Sequence, residues 1–177
     1  DTEIILQLVA RSKKKKLINK LIDALNQIKG AYSLVILTNK KLIGVRDPYG
    51  IRPLVLGEKD GSPVLASETC ALDMIGAKYI RDVENGEIII ITESGIESIK
   101  PFERVLERPC IFERIYFASP DSIVGNKTVY TYRKALGEQL ANENNIIADV
   151  VVPIPDSGVS AAIGFSQKSF IPFELGI

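Results

Sequence analysis

The chain predicts an α+β arrangement that passes, beyond Lys100-Pro101, into the opening of an α/β sheet. Three features point that way. Two amphipathic helical stretches come first, short strand pairs follow to residue 100, and from residue 111 strand-like and helical patterns alternate.

The first helix is expected over residues 2–12, where Ile4, Ile5, Leu8 and Val9 form an apolar stripe behind Asp1-Thr2, which stands in capping position. The second gathers Leu17, Ile18, Leu21, Ile22, Leu25 and Ile28 on one face and stops at Gly30. The lysines at 13–16 between them read as a solvated helix–helix junction. The period then becomes strand-like. Residues 31–37 and 41–45 flank an Asn39-Lys40 turn, and Asp47-Pro48-Tyr49-Gly50 has the residue order of a type I turn. Residues 54–57 and 64–66 pair around Asp60-Gly61, and residues 86–91 and 96–99 around Ser94-Gly95. Residues 67–75 read as a short helix with Ser67 as N-cap. Further on, an aromatic strand is expected over 111–117 and a polar loop over 121–127. A helix over 129–141 should turn Tyr130, Ala135, Leu136 and Leu140 inward. A strand over 147–154 and a helix over 159–167 complete the alternation, with too few strands to form a sheet alone.

Composition narrows the function. The 177 residues are 46% apolar and 25% charged, as in a globular protein with a real core. Lys+Arg and Asp+Glu both number 22, so no net field draws in nucleic acid or an anionic membrane. No apolar run reaches the length of a membrane span. Two cysteines, Cys70 and Cys110, form no disulfide framework, which makes a cytoplasmic setting the default. There is no histidine at all. A Ser-His-Asp triad, a Cys-His pair and a His-ligated zinc are therefore excluded within these residues. Acid–base work would fall to carboxylates, amines, bound metal or substrate.

The segment with most chemical content is the apolar run ending at Pro153 and Pro155, followed by Asp156-Ser157-Gly158 and a helical pattern. A strand end feeding a helix start brings backbone N–H groups, a carboxylate and a hydroxyl to one point. That is where phosphorylated ligands and their metal sit in open α/β sheets. A phosphate or Mg²⁺ site is one reading; Ser157 as a plain N-cap is the other.

Several blocks, in this order, resemble amidophosphoribosyltransferases. They are Asp1-Thr2-Glu3, then Arg46-Asp47-Pro48-Tyr49-Gly50-Ile51-Arg52-Pro53-Leu54, then Ala66-Ser67-Glu68-Thr69-Cys70-Ala71-Leu72-Asp73. Cys110-Ile111-Phe112-Glu113-Arg114-Ile115-Tyr116-Phe117 and Pro155-Asp156-Ser157-Gly158 follow in register. The resemblance implies a fold of two kinds: residues 1–107 as the C-terminal part of an N-terminal-nucleophile glutaminase (a type 2 glutamine amidotransferase domain), and residues 108–177 as the start of a type I phosphoribosyltransferase domain. It implies a reaction in which ammonia from glutamine displaces pyrophosphate from 5-phosphoribosyl diphosphate, giving 5-phosphoribosylamine for purine synthesis. An N-terminal cysteine in such enzymes can use its own α-amino group as base, in keeping with a chain without histidine.

Carried over position by position, the resemblance makes Asp1 the carboxylate that holds the glutamine α-amino group, although Asp1 also suits a helix N-cap. Ser157 matches a hydroxyl that ligates Mg²⁺, with Asp156 and Gly158 shaping the pocket. Cys110 matches a ligand of the [4Fe–4S] cluster found in one branch of the family, or else is a buried small hydrophobe. Cys70 matches no nucleophile and reads as core. Arg46 to Leu54 reads as scaffold, the aromatic stripe Phe112, Tyr116, Phe117 as core, and Tyr130 with Arg133 as a helix-surface pair or else as residues facing the transferase site. Implied partners are glutamine, 5-phosphoribosyl diphosphate, purine nucleotides as feedback inhibitors, and copies of the chain in a homo-oligomer (a tetramer by resemblance). Ser119 stands where members of the family often carry Arg. The catalytic cysteine and the acidic phosphoribosyl-diphosphate loop match nothing here, so the expectation is an incomplete, inactive piece. Two other readings compete: a non-catalytic regulator that binds nucleotides or phosphoribosyl compounds, and another glutamine amidotransferase.

Overall fold

The structure, a computed structural model, describes residues 2–176. Helices and sheets are mixed, and the chain divides into two compact units. The first runs to Ser67 and resumes over Ile80–Pro109; the second takes Glu68–Tyr79 and the chain from Cys110 onward.

In the first unit, α1 (Thr2–Arg11) and α2 (Leu17–Leu25) lie on one face of a four-stranded antiparallel sheet. Its strands are β1 (Ser33–Leu37), β2 (Leu42–Arg46), β6 (Ile88–Thr92) and β7 (Gly95–Ile99), in the order β1-β2-β6-β7. Period-two alternation makes this sheet two-sided. Ile43 and Val45 stand opposite Ile90 and Ile88 and face the helices, where Ile5, Leu21 and Leu25 meet them. The intervening Ile89 packs with Leu54, Leu56 and Val83 on the other face. Leu54 precedes β3 (Val55–Lys59), which pairs with β4 (Ser62–Ala66) and β5 (Lys78–Asp82) in a second sheet of order β4-β3-β5. The boundary between the units falls inside β5. Gly44 makes the layering possible, since a Cβ there would lie 2.7 Å from a Leu65 methyl.

The turns follow their residues. The Gly50 N–H donates to the Asp47 carbonyl at 3.0 Å, and Asp60 and Gly61 both take positive φ, the hairpin geometry their identities favour. Helix α2 ends at Leu25 rather than at Gly30. The N–H groups of Gln27 and Ile28 donate three residues back, a tightened last turn. Ile28 still packs on the core without being helical. The short helix α3 (Thr69–Met74) has Glu68, not Ser67, at its N-cap, with no side-chain cap.

The second unit departs further from expectation. Residues 111–117 form no strand. They are helical, with a π-turn over Glu113–Phe117 in which the Ala118 N–H donates to the Glu113 carbonyl five residues back at 2.9 Å. Their bulky content suggested a strand, but no strand pairs with them among the described residues. The loop at 121–127 contains a small hairpin, β8 (Ile123–Val124) with β9 (Lys127–Thr128). The expected strand at 147–154 is reduced to one parallel bridge, Val151 with Phe173. Helices α4 (Val129–Glu143) and α5 (Val159–Ser169) form as expected, but α4 buries Val129, Arg133 and Gly137. Tyr130, Ala135, Leu136 and Leu140 stay exposed. The reason is close approach: a Cβ on Gly137 would lie 1.8 Å from the Ala161 carbonyl oxygen, and one on Gly164 would lie 2.0 Å from that of Lys134. Two glycines facing across the pair let backbone meet backbone, and that contact sets which side of α4 is inside.

Candidate functional site

The Pro153–Gly158 corner is shaped by its own backbone. The Gly158 N–H donates to the Ile154 carbonyl at 3.1 Å, and the Val159 N–H to the Asp156 carbonyl at 3.2 Å. A Cβ on Gly158 would stand 2.6 Å from the Ile154 oxygen, so the turn can close this tightly only on glycine. The Pro155–Asp156 peptide is cis. Gly158 is the N-cap of α5 and no side chain caps that helix. Ser157 is therefore not the N-cap that one reading proposed. Its hydroxyl is half-buried next to the exposed Asp156 carboxylate, at the positive end of α5. The corner offers two hard oxygen donors and a helix terminus, a set suited to an oxyanion with its Mg²⁺.

The other anticipated residues lie elsewhere. Asp1 is outside the described residues. Cys110 is half-buried at the start of the helical turn, where its carbonyl accepts the Glu113 N–H at 3.2 Å. Cys70 is half-buried too, with its thiol 3.6 Å from a Glu68 carboxylate oxygen. A [4Fe–4S] cluster needs four thiolates. The chain has two cysteines, and among the described residues no group of three or more Cys, Asp or Glu is placed to hold a metal ion. These residues do not by themselves fit a cluster.

The structure brings forward a polar cluster that sequence reasoning missed. Glu68 accepts the Ser119 N–H at 2.7 Å and the Ser122 hydroxyl at 2.8 Å, and Thr69 Oγ1 accepts the Ile123 N–H at 2.8 Å. Arg133, read from the sequence as a surface residue, is buried. Its guanidinium donates to the Arg114 carbonyl at 2.8 Å and the Ala118 carbonyl at 2.9 Å, binding one carbonyl in the π-turn and one at its C-cap. Burial lowers the Arg133 pKa, and the Glu68 carboxylate works against that shift. The available signal was Ser67-Glu68-Thr69, which looked like a helix cap; Glu68 and Thr69, half-buried and buried, in fact anchor the 119–123 loop.

In the first unit, Arg46 is a scaffold residue as expected. It donates to the carbonyls of Arg52 (2.9 Å), Val83 (2.8 Å) and Gly50 (3.2 Å), tying the 47–53 loop to the sheet. Asp47 is buried and accepts the Tyr49 N–H at 3.0 Å and the Ile51 N–H at 3.2 Å. Burial, with the Asp47 carboxylate adding to it, raises the Tyr32 phenol above its ordinary range.

Comparison with known proteins bears on the whole chain. A family model described as a glutamine amidotransferase domain matches residues 1–74. An amidophosphoribosyltransferase of Rhizobium etli is 56% identical over all of this chain and 37% of its own length. The chain is homologous along its entire length to amidophosphoribosyltransferases. That of a Synechocystis species is 51% identical over 37% of its length, and the chloroplastic one of Glycine max 48% over 31%. The chain thus spans about a third of the amidophosphoribosyltransferases it matches. The Bacillus subtilis glutamine phosphoribosylpyrophosphate amidotransferase, solved with ADP and GMP, superposes with a TM-score of 0.94 at 43% identity, over 99% of this chain and 39% of its own. None of the described helices is long and apolar enough to cross a membrane.

Proposed function

We propose that this protein serves glutamine-dependent amidophosphoribosyl transfer in purine synthesis. The observation that carries the reading is the unbroken match to amidophosphoribosyltransferases, whose last block is the Pro155-Asp156-Ser157-Gly158 corner. Glutamine is hydrolysed to glutamate and ammonia. The ammonia nitrogen then bonds to C1 of 5-phosphoribosyl diphosphate as the C1–O bond breaks, its electron pair leaving with pyrophosphate and one proton passing to solvent.

Ser157 would hold the diphosphate end through its Mg²⁺, with Asp156 shaping the pocket beside it and Gly158 closing the turn at the start of α5. Mg²⁺, where bound, supplies charge neutralisation for the departing pyrophosphate, and Ser157 is the residue assigned to hold it. Asp1 would pair with the glutamine ammonium. No nucleophile is assigned to any residue of the chain, and no step is assigned to an iron–sulfur cluster. Residues 1–107 would belong to the N-terminal-nucleophile glutaminase, a reading supported by the helix–sheet–sheet layering. Residues 108–177 would open the type I phosphoribosyltransferase domain, supported by α4, α5 and the Val151–Phe173 bridge. Purine nucleotides would act as feedback ligands, by analogy with the Bacillus subtilis protein solved with ADP and GMP. The working form would be a cytoplasmic homo-oligomer, with no nucleic-acid or membrane partner.

The test is release of pyrophosphate by the native gene product, dependent on both glutamine and 5-phosphoribosyl diphosphate. Ser157→Ala should lower the rate about 10–100-fold, as losses around metal sites do, with glutamine hydrolysis alone unchanged. Pyrophosphate release that needs neither substrate, or none in their presence, overturns the reading.

A further inference from the structure

A cavity of about 290 Å³ in the later unit lies at the β8–β9 turn and the start of α4. Arg114, Asn126, Lys127, Thr128 and Tyr132 line it, and no carboxylate does. Arg114 is a half-buried residue, and its guanidinium lies over the Tyr132 ring, 5.4 Å from the centroid. Gly125, in left-handed conformation, brings its backbone beneath the guanidinium; a Cβ there would lie 3.8 Å from Nη2. The Arg114 main chain is also held, by Arg133 through its carbonyl. The side chain is thereby pre-placed with its N–H edge available, and neither Arg114 nor Lys127 is ion-paired among the described residues.

The first backbone donors of α4 are already used. The Val129 N–H goes to Ser122, the Tyr130 N–H to Pro120, and the Thr131 N–H to Thr128 Oγ1. Recognition at this cavity would therefore come from side chains. A planar, fixed guanidinium and a flexible ammonium suit a compact dianion with several acceptor oxygens. We propose that this cavity binds a phosphate group, free or carried as a monoester. The site is separate from the Asp156–Gly158 corner and does not rest on the function proposed above.

The experiment titrates the protein with inorganic phosphate, AMP and adenosine, following backbone amide resonances of residues 125–128 beside those of 156–158. Saturable shifts at 125–128 with phosphate and AMP but not with adenosine are expected, and a response to only one of the two identifies the free ion or the ester as ligand. Arg114→Gln should weaken this response at least tenfold, as loss of a charge-assisted bond does, and Arg114→Lys should weaken it less. Unliganded melting temperatures of the variants show whether the fold survives, and Lys127→Gln, an exposed position, supplies a variant that should fold normally and bind several-fold more weakly. No saturable response at 125–128, or one unchanged by both Arg114→Gln and Lys127→Gln, overturns the proposal; a response confined to 156–158 does so while leaving the transferase reading intact.

Discussion

Glu87 is fully buried, yet it is ionised. Its carboxylate takes a two-pronged contact from Arg81 at 2.7 and 2.8 Å, the Ser98 hydroxyl at 2.5 Å and the Glu84 N–H at 2.6 Å. Burial pushes its pKa up, but these bonds and the Arg81 charge outweigh it and hold the value at about 2. The folded pKa lies below that of the unfolded chain, so the unfolded chain binds the extra proton first as pH falls. The stabilisation is on the order of 3 kcal/mol above pH ~5 and is lost as pH drops from ~4.5 toward ~2. Urea unfolding across that range should show the decline, and Glu87→Gln should flatten it; an equal decline in the variant would assign the effect to other groups. Gly158 poses a different residue-scale question. Its φ of −77° would admit alanine, so conformational freedom is not what requires glycine there. The 2.6 Å approach to the Ile154 oxygen is. Gly158→Ala should lower stability by about 1–3 kcal/mol, read from the thermal midpoint, and weaken binding at the Asp156–Ser157 corner.

Among the elements, the α4–α5 pair decides the architecture of the later unit. Helix propensity alone favours alanine over glycine inside a helix by about 1 kcal/mol. At Gly137 the packing term opposes this, because the new methyl would meet a backbone carbonyl that cannot move aside. Gly137→Ala should therefore destabilise by about 3 kcal/mol or more, the upper end of overpacking costs. Ala135→Ser, on the exposed side of α4, should cost about 0.5 kcal/mol. Chemical denaturation of the two variants checks the order; comparable losses would mean that the two helices part without penalty. The π-turn at Glu113–Phe117 depends similarly on a neighbour, since Arg133 of α4 takes up two carbonyls around it.

Across the whole molecule, apolar side chains remain open to solvent. Ile147 is 99% exposed, Phe170 91% and Ile154 71%, all in the later unit. Apolar side chains in contact with water bind apolar-surface dyes. The protein should enhance the fluorescence of an apolar-surface dye in its native state. Replacing Ile147, Ile154 and Phe170 together by serine should cut that signal by roughly the area removed. A native protein that leaves the dye dark would contradict this. Net charge is balanced: with 22 charges of each sign and a pI near 6.6, self-repulsion does little to oppose association near neutral pH.

Local order was legible in the residues themselves. Helices α1, α2, α4 and α5, the β1–β2, β3–β4 and β6–β7 hairpins and the Asp47–Gly50 turn follow from periodicity and turn chemistry, which act within a few residues of chain. The turn at Asp156-Ser157-Gly158 into α5 was legible too, because proline and glycine ahead of a helix signal are a local pattern, whereas the strand expected before it is reduced to one bridge. The tertiary structure decided whatever depended on a distant partner. The bulky 111–117 segment is helical, with no strand paired to it among the described residues, and Arg133 takes up the Arg114 carbonyl within it. The inner face of α4 was set by glycine-to-backbone contact with α5 rather than by its apolar residues, and Glu68 became an anchor for a loop more than fifty residues away. Sequence carries the short-range preferences; only the folded chain brings together the groups whose hydrogen bonds and close contacts override them.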